Sequence, residues 1–488
     1  MPQRICFIAS EVAPLAKTGG LADVVSALAG YLEGVGHDVR VFMPLYSAID
    51  RSRYAATAVD FLQSVPLEVG PHRLTYSVSL TRLPGSGARV YLIECPELYE
   101  RPRLYTSDPD EHLRFIALTR AAFECCQRMA WAPEILHCHD WHAAFGPLFL
   151  KTLYSWDRLF ARTRSVLTIH NLGYQGVFAA AAAPDLALGT MQHLLHQDDL
   201  RAGYINSLKH GILYADAVTT VSPTYAKEIC TPAYGMGLEQ TLATRTEGVL
   251  GILNGVDYAD WDPRIDRYLP QHYDAGSLEV KAGLKRALCA RLGLKIGADT
   301  ALAGVVSRLV LQKGVDLLLE ALPPLLTERN FACIVLGSGE ESYELALAQL
   351  GQRFAWRFHF RAGYDEELAH WIEAASDLFV MPSRYEPCGL NQMYSLRYGT
   401  VPVVRVTGGL ADSVQQYDPA SGRGTGVRFV APNGAELTMA LRTALDLHAQ
   451  PQHWSRIIAN GMAQDFSWQH QGREYVALYE RLTATISG

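Results

Sequence analysis

Cysteine, long apolar runs and net positive charge are scarce in this sequence of 488 residues, and each absence excludes a class of protein. Nine cysteines, an odd number that includes the adjacent Cys125 and Cys126, argue against a disulfide framework and favour reduced thiols in the cytoplasm. No apolar run approaches the roughly 18 residues that cross a bilayer, and the apolar run in MPQRICFIAS is too short for a signal peptide. A net charge of −7 argues against binding to nucleic acid through its phosphates. We therefore expect a cytoplasmic protein with neither membrane nor nucleic acid as a partner.

What the sequence does contain is the pattern of a parallel α/β fold. Hydrophobic residues make up 49% and charged residues 19%, as in folded globular proteins. A short apolar run at Arg4–Ser10 precedes apolar residues that recur at helical spacing from Leu21 to Leu32, and His37–Pro44 is again a strand pattern. This strand–loop–helix–strand order is typical of the βαβ unit of a parallel sheet.

The same alternation starts again after residue 250, so we predict two successive α/β domains. The polar sequence TRTEG places the junction between Leu242 and Val256. We predict an N-terminal domain over 1–245, a C-terminal domain over 246–460, and a final segment over 461–488. The helix of this segment, from about Trp468 to Leu482, could pack on either domain, including back on the first. The other predicted strands and the main predicted helix of the second half are Arg89–Glu94, Glu134–Asp140, Ser165–Asn171, Ala217–Ser222, a strand and loop in Ala301–Leu309, helix Gly314–Leu326, and strands in FACIVLGSG, DLFVMPS and TVPVVRVTGG.

The hexapeptide TGGLAD occurs twice, at Thr18–Asp23 and at Thr407–Asp412. Each copy places a glycine pair at a predicted helix start, where the backbone can approach a ligand and unpaired N–H groups face it. The flanking residues do not align, which favours one local geometry used twice over a duplicated domain; a tight turn alone would also explain it. Only the first copy follows a lysine, Lys17, and can add a cation.

Two strand-to-helix loops of the second half carry charge. SRLVLQKG contains Arg308 and Lys313 at the carboxyl end of a predicted strand, where two cations could neutralise a diphosphate. In SRYEPCGLNQ, Glu386 precedes a predicted helix start, where a carboxylate could stabilise positive charge on a sugar ring or bind its hydroxyls. The alternatives are a solvated loop for the first and an interaction with the helix dipole for the second.

The sequence HCHDWH invites a zinc interpretation, with His137 and His139 on one strand face and His142 in the loop beyond. No matching ligand cluster stands elsewhere in the sequence, so we predict no metal site there. His137 is expected in the core, whereas His139 at the strand end is the better contact for a substrate. Asp108 and Asp110 are expected to form a turn rather than a cation site, and HNLGYQG and LNGVD could be turns as well.

Taken as an ordered set, KTGGLADV, HDWH, HNLGYQG, LNGVD, SRLVLQKG, SRYEPCGLNQ and TGGLADSV resemble the motifs of the bacterial glycogen synthase and plant starch synthase family. The resemblance covers almost the whole chain, from Lys17 to the DFSW sequence at Asp465–Trp468. It implies the GT-B architecture, in which two doubly wound, Rossmann-like domains face each other across a cleft. It also implies transfer of glucose from ADP-glucose to the non-reducing end of glycogen or a linear α-1,4-glucan, with retention of configuration and without a metal or cofactor.

The resemblance assigns roles to individual residues. Arg308 and Lys313 match the pair that binds the diphosphate, and Lys17 matches the lysine that contacts the sugar nucleotide from the other domain. Glu386 matches the essential carboxylate beside the donor glucose, and His139 a histidine that contacts this glucose. The other implied binding positions are Gly19, Gly20, Asp23, Asn171, Asn254, Cys388, Gly389, Leu390 and Asn391.

Two positions depart from the wider pattern. Asn391 stands where many bacterial members have Thr, and Tyr394 stands where other retaining GT-B enzymes have a second Glu, a feature that glycogen synthases share. No residue of the motifs is an evident covalent nucleophile, which favours front-face attack by the acceptor hydroxyl with the leaving phosphate as base. The alternatives are a UDP-sugar transferase or sugar-nucleotide epimerase, a catalytically silent glucan-binding protein, and a phosphorylase, for which no pyridoxal-phosphate lysine motif stands out.

Overall fold

The computed structural model describes residues 2–484, which form two compact units. The first unit contains the chain up to Gly255 together with the segment from Trp468 onward, and the second contains Val256–Ser467. The first boundary lies at the end of the predicted junction from Leu242 to Val256 and after position 245, because the short strand Leu250–Gly251 still pairs with the first sheet. The last helix begins at Trp468, as predicted, and belongs to the first unit.

The strands and helices have the following bounds. The strands are β1 (Arg4–Ile8), β2 (Asp38–Pro44), β3 (Thr57–Ala58), β4 (Val65–Val69), β5 (His72–Arg82), β6 (Arg89–Glu94), β7 (Ile135–His139), β8 (Arg164–Ile169), β9 (Val177–Ala179), β10 (Tyr204–Asn206), β11 (Ala217–Thr220), β12 (Leu250–Gly251), β13 (Ala301–Val306), β14 (Phe331–Gly337), β15 (Phe358–Ala362), β16 (Leu378–Met381), β17 (Val401–Arg405) and β18 (Val427–Phe429). The α-helices are α1 (Gly20–Gly34), α2 (Pro96–Tyr99), α3 (Glu111–Arg128), α4 (Asp140–Ala143), α5 (Gly146–Lys151), α6 (Gln197–Arg201), α7 (Ser207–Tyr214), α8 (Pro223–Glu228), α9 (Glu239–Ala243), α10 (Leu278–Leu292), α11 (Val315–Glu328), α12 (Glu341–Arg353), α13 (Glu366–Ala375), α14 (Asn391–Arg397), α15 (Gly408–Ser413), α16 (Gly434–His448), α17 (Pro451–Met462) and α18 (Trp468–Ala484). Short 3₁₀ helices cover Asp60–Leu62, Arg158–Phe160, Ala180–Leu186, Gly189–Leu194 and Leu311–Lys313.

The sheet of the first unit runs in the order β12-β11-β8-β7-β1-β2-β6-β5-β3, with β4 also paired to β5. From β12 to β6 the strands are parallel, whereas β5 is antiparallel to β6, β3 and β4. The central strand β1 is buried from Ile5 to Ile8, as expected for a strand covered on both faces. Because β1 pairs with β2 on one side and β7 on the other, the loops after β1 and β7 separate there and leave a crevice at the carboxyl ends.

The helices α1 and α18 pack together within the first unit. The apolar positions of α1, including Leu21, Leu28 and Leu32, are buried, as their helical spacing predicts. Gly472 of α18 lies directly on the ring of Tyr31 in α1. The side chain of Gln3 also donates to Thr483 Oγ1 at 2.8 Å. The start and the end of the described chain therefore stabilise the same unit.

The sheet of the second unit is parallel throughout, in the order β15-β14-β13-β16-β17-β18. Two hydrophobic clusters cover its two faces, one around α11 and α16 and the other around α10 and α13. Strand order reverses between β13 and β16, so the loops that follow these two strands meet at the switch point of the sheet. These are the loops that contain Lys313 and Glu386.

Candidate active site

In the second unit, Lys313 and Glu386 form an ion pair at the switch point. The distance from Lys313 Nζ to Glu386 Oε2 is 2.5 Å, and the two side chains are 18% and 6% exposed. Ser383 Oγ donates to the same carboxylate oxygen at 2.9 Å. A second contact joins the loops, since the backbone N–H of Arg384 donates to the carbonyl of Gln312 at 2.8 Å. The structure thus places a cation and a carboxylate, predicted separately, on one edge of one sheet.

The loop that contains Glu386 is held in place by the second copy of the hexapeptide. The backbone N–H of Gly409 donates to the carbonyls of Glu386 and Pro387 at 3.1 and 3.3 Å. A Cβ atom at Gly408 or Gly409 would overlap the backbone of the Glu386–Cys388 turn, and Gly408 also has a φ of +42°. Only glycine satisfies both requirements at position 408. The second hexapeptide therefore supports the loop through close backbone packing.

Buried polar side chains reinforce this loop from behind. Arg405 at the end of β17 is 4% exposed, and its Nε donates to the carbonyl of Ser383 at 2.8 Å. Gln392 donates to the carbonyls of Cys388 and Gly389 at 3.2 and 3.0 Å. Each contact satisfies a carbonyl that a tight turn would otherwise leave unpaired in a buried position. These residues were not predicted as part of the site.

The remaining predicted residues of the second unit lie on the same two loops. Arg308 is exposed, and its Nη2 lies 3.5 Å from Gln312 Oε1. Gly389 has a φ of +71°, and Leu390 immediately precedes α14, which starts at Asn391. The predicted helix start at Pro387 is therefore placed slightly early, because residues 387–390 form the turn. The amide of Asn391 hydrogen-bonds Glu373, a buried carboxyl whose pKa is raised well above its usual value by burial.

In the first unit, the loop after β1 is organised by Glu11, which was not predicted. Its carboxylate accepts hydrogen bonds from the backbone N–H of Thr18, from Thr18 Oγ1 at 2.7 Å and from the N–H of Gly19 at 3.3 Å. The hydroxyl of Tyr105 donates to the same carboxylate at 2.5 Å. Glu11 thus fixes the start of α1 in the absence of a capping side chain at Gly19.

The glycines of the first hexapeptide differ from those of the second. A Cβ atom at Gly19 or Gly20 would meet no heavy atom within 4 Å, and neither residue has a positive φ. Lys17 Nζ lies 2.8 Å from Asp23 Oδ1, and these two side chains are 45% and 30% exposed. The fold of the first unit therefore gives no reason of its own for glycine at these two positions.

A cluster of histidines lies at the carboxyl ends of β7 and β8. His137 is in the core, as predicted, where its Nδ1 contacts the hydroxyl of Tyr479 at 2.7 Å and its Nε2 contacts Thr168 Oγ1 at 2.5 Å. His139 Nδ1 lies 3.0 Å from Nε2 of His170, and its own Nε2 is buried without a hydrogen-bond partner. His139 is fully buried, whereas His170 is 8% exposed. The structure therefore places His170 next to His139, the histidine selected from the sequence, and His170 is the more exposed of the two.

Burial sets the charge state of this cluster. It lowers the pKa of His139 well below the usual value, with a further contribution from His137 and His170, and it lowers the pKa of His170 to about 3. Burial also raises the pKa of Asp140 to about 7, although its Oδ1 accepts from the backbone N–H of His170 at 2.7 Å. At neutral pH both imidazoles are uncharged and act only through hydrogen bonds.

Most of the other predicted positions of the first unit have local partners. Asn171 Oδ1 accepts from the N–H of Gly173 at 2.9 Å, whereas Asn254 is 5% exposed and its Oδ1 is buried without a partner. Asp108 and Asp110 both pair with Arg101, at 2.7 and 2.5 Å. His170 and Ser383 lie in the motifs HNLGYQG and SRYEPCGLNQ but were not predicted as site residues. Glu11 and Arg405 lie outside the motifs, so no signal in the sequence indicated them.

The fold and these loops define a class of protein. Two Rossmann-like sheets, the first parallel from β12 to β6 and the second parallel throughout, each with polar loops at its switch point, are the arrangement of GT-B glycosyltransferases. A family model described as the starch synthase catalytic domain matches residues 4–244, and one described as glycosyl transferases group 1 matches residues 293–460.

Relatives identify the family within this class. The chain is 43% identical over 483 residues to a glycogen synthase of Koribacter versatilis and 40% identical over 492 residues to one of Thermotoga maritima, with at least 98% of each chain covered. A solved structure, the catalytic domain of starch synthase IV from Arabidopsis thaliana bound to ADP and acarbose, is similar with a TM-score of 0.91 and 33% identity, over 99% of this chain and 100% of that one. The chain belongs to the glycogen synthase and starch synthase family. Among its described helices, none has the length and apolar character that crossing a bilayer would need.

Proposed function

We propose that this protein transfers glucose from ADP-glucose to the non-reducing end of an α-1,4-glucan, glycogen or a linear chain, with retention of configuration and without a catalytic metal. Membership of the family supports a nucleotide-sugar donor and a glucan acceptor. The observation that carries the proposal is the ion pair of Lys313 and Glu386 at the switch point of the second sheet. There a cation for a leaving phosphate and a carboxylate for a sugar lie side by side.

The donor diphosphate is assigned to Arg308 and Lys313. Arg308 is exposed on the loop after β13 and carries a planar guanidinium suited to phosphate oxygens. Lys313 would share its ammonium between Glu386 and the phosphate nearest the sugar, since three N–H donors are available on one nitrogen. The backbone from Cys388 to Asn391, with Gly389 and Leu390, is assigned to the remaining phosphate contacts.

Glu386 is assigned to the donor glucose. Its side chain is 6% exposed and is oriented by Ser383 and Lys313, so it cannot rotate freely into solvent. When the bond to the phosphate breaks, positive charge grows on the anomeric carbon, and a fixed carboxylate nearby stabilises that charge. Lys313 pairs with the same oxygen of Glu386. As the sugar and the phosphate separate, the carboxylate therefore stabilises the positive charge on the sugar, and the ammonium stabilises the negative charge on the phosphate.

The first unit is assigned to the sugar and the approach of the donor. We propose that Lys17 contacts the nucleotide and that Gly19 and Gly20 let the backbone approach it, which explains glycine where the fold has no need of it. His139 is buried, so we propose that it positions His170, whose side chain is the more exposed of the two, to contact the glucose. Asp23, Asn171 and Asn254 are assigned to the same region.

Retention is proposed to follow from front-face attack. The acceptor hydroxyl attacks the anomeric carbon on the side from which ADP leaves, and the proton passes to the departing phosphate oxygen. Lys313 and Arg308 stabilise that phosphate in place of a divalent cation. A cytoplasmic location is part of the proposal, since all nine cysteines are free thiols, as is usual in a reducing compartment.

The test measures ADP release and chain lengthening with ADP-glucose and glycogen. We expect the variants Lys313→Ala and Glu386→Gln to lose about 100-fold or more in kcat, as for other groups that stabilise a transition state. Glu328→Gln is a matched control, because Glu328 forms an exposed ion pair with Arg442 in the same unit. Wild-type turnover in either folded site variant would reject the assignment, and a preference for UDP-glucose in direct competition would reject the donor.

A further inference from the structure

A second group of polar side chains in the second unit lies outside the loops assigned to the donor. Asp260, Glu366 and His370 each offer one metal-ligating atom, and these atoms lie within 4.8 Å of one another. They come from two segments, the turn after the chain enters the second unit and helix α13. Glu366 and His370 are four residues apart on α13, so their side chains share one face of the helix.

The decisive feature is the unpartnered nitrogen of His370. The side chain is fully buried, and Nδ1 lies 2.9 Å from Oδ2 of Asp266, which is also fully buried. Asp266 Oδ2 also accepts from the hydroxyl of Tyr398 at 2.6 Å, and its Oδ1 accepts from the backbone N–H of Tyr268 at 2.9 Å. An ionised Asp266 only accepts, so Nδ1 carries the proton. In the neutral imidazole Nε2 then carries a lone pair, and it is buried with no hydrogen-bond partner.

The ring of His370 is also held in a fixed orientation. It stacks on the indole of Trp261 at 3.7 Å, and Trp261 stacks in turn on Tyr394 at 4.0 Å. Trp261 directly follows Asp260 in the chain, so the same turn that positions a carboxylate also fixes the imidazole. A carboxylate that orients one ring nitrogen and leaves the other available as a ligand is the usual environment of a metal-binding histidine.

We propose that Asp260, Glu366 and His370 bind a divalent cation, best matched by zinc, through one nitrogen and two carboxylate oxygens. Three such protein ligands with a solvent molecule complete a tetrahedral zinc site. Asp266 is a positioning residue that orients His370. Glu366 is exposed and Asp260 is half-buried, so an ion can reach the site and small side-chain rotations can draw the ligands together. The cation would tie the turn at Asp260 to the first turn of α13, and it takes no part in glucosyl transfer.

A cation that is already present competes with this proposal. Arg267 Nη2 lies 3.4 Å from Asp260 Oδ1, and the two side chains are 67% and 37% exposed. Arg267 could therefore be the only positive partner that these carboxylates need, with a water molecule on His370. That alternative predicts no zinc binding that depends on His370.

The test uses the full-length protein after treatment with a chelator. Zinc is added by equilibrium dialysis, bound metal is counted per chain, and Tm is recorded with and without zinc. We expect about one tightly bound zinc and a rise in Tm in the wild type. Glu366→Gln and His370→Gln should each weaken zinc binding by at least about 10-fold, and Asp266→Asn should weaken it about 10- to 100-fold.

Glu367→Gln is the matched control, since Glu367 is the neighbouring exposed carboxylate on α13 and pairs with Arg291 at 2.6 Å. Because His370 is buried and its variant could fail to fold, the exposed Glu366 provides a variant that does not disturb the core. Cobalt substituted for zinc gives a second readout, since its visible spectrum reports coordination number. Equal zinc affinity in the wild type, Glu366→Gln and Glu367→Gln, or no zinc bound by the wild type, would overturn the proposal.

Discussion

At the scale of single residues, the two copies of TGGLAD use glycine for different reasons. Gly409 packs against the backbone of Cys388, where a side chain has no room, whereas Gly20 faces open space at the first residue of α1. The first pair is therefore available to a ligand and the second is used by the fold.

This difference gives a prediction for two matched substitutions. Gly409→Ala should destabilise the second unit by about 1–3 kcal/mol, because the added methyl forces the Glu386 turn away. Gly20→Ala should leave the free energy of unfolding within about 0.5 kcal/mol of the wild type, as usual for an open site. It should nevertheless lower kcat/KM for ADP-glucose by about tenfold, which corresponds to about 1.4 kcal/mol of lost binding in the transition state.

Urea unfolding and initial rates measured on the same preparations check both effects. If Gly20→Ala kept full activity, the glycines of the first copy would have no role in approaching the donor. If Gly409→Ala were as stable as the wild type, the close packing against Cys388 would be wrong.

The residues of the candidate site differ in how well the neighbouring sequence alone indicates their role. Lys17, Arg308, Lys313 and Glu386 stand out in the sequence because a charged group follows an apolar strand and precedes a helix. Glu11 and Arg405 act through carbonyls and N–H groups of loops that only the folded chain brings near them. No pattern in the sequence distinguishes such residues from other buried polar groups.

At the scale of elements, strand and helix positions in the parallel sheets were predictable to within a few residues. β6 has the predicted bounds Arg89–Glu94, and α11 begins at Val315, one residue after the predicted start. The antiparallel strands β3, β4 and β5 were not predicted, since the alternation of apolar and polar residues along them does not indicate which edge of the sheet they join. The domain boundary lies at the end of the predicted junction, after position 245, because the two-residue strand β12 is too short to leave a periodic signal.

The pairing of α18 with α1 leads to a second prediction. Gly472 lies on Tyr31, and an added Cβ would overlap its ring. Gly472→Ala should therefore lower the free energy of unfolding by about 1–3 kcal/mol through overpacking. Gly283→Ala is the control, since Gly283 is inside α10 and its Cβ would meet only Arg286 Nη2, at 3.8 Å.

The control should be stabilised by about 0.5–1 kcal/mol, because alanine replaces glycine within a helix at no steric cost. Chemical unfolding of both variants alongside the wild type provides the comparison. Equal effects of the same sign in the two helices would show that α18 does not pack on α1 as closely as described.

At the scale of the whole molecule, the histidines whose pKa is lowered by burial are distributed unevenly between the two units. In the first unit, burial lowers the pKa of a set of histidines: His37, His137, His139, His142, His170 and His210. The second unit contributes His359, which is also lowered by burial. Asp140 and Glu124 in the first unit have the opposite effect on the pH dependence of stability, because burial raises the pKa of each carboxyl.

The sign of the resulting pH dependence follows from where the protons bind. An unfolded histidine takes up a proton near pH 6.5, whereas these folded ones do so only at lower pH, so unfolding binds protons below 6.5. Their contribution to stability is complete above pH 6.5 and is lost as the pH falls. Below pH 6.5, each histidine that stays neutral in the folded state lowers the free energy of unfolding by about 1.4 kcal/mol for every unit by which the pH falls. The two carboxyls offset only part of this total.

We therefore expect acid to weaken the first unit before the second. Hydrogen exchange, corrected for the intrinsic rate at each pH, should show that peptides from 2–255 and 468–484 lose protection between pH 7.5 and 5.5. Peptides from 256–467 should change much less over that range. Since His137 contacts Tyr479 of α18, the last helix should lose protection together with β7 and not with the second unit that precedes it in the chain. Protection lost equally from both units, or first from 256–467, would mean that the buried histidines do not govern the acid response.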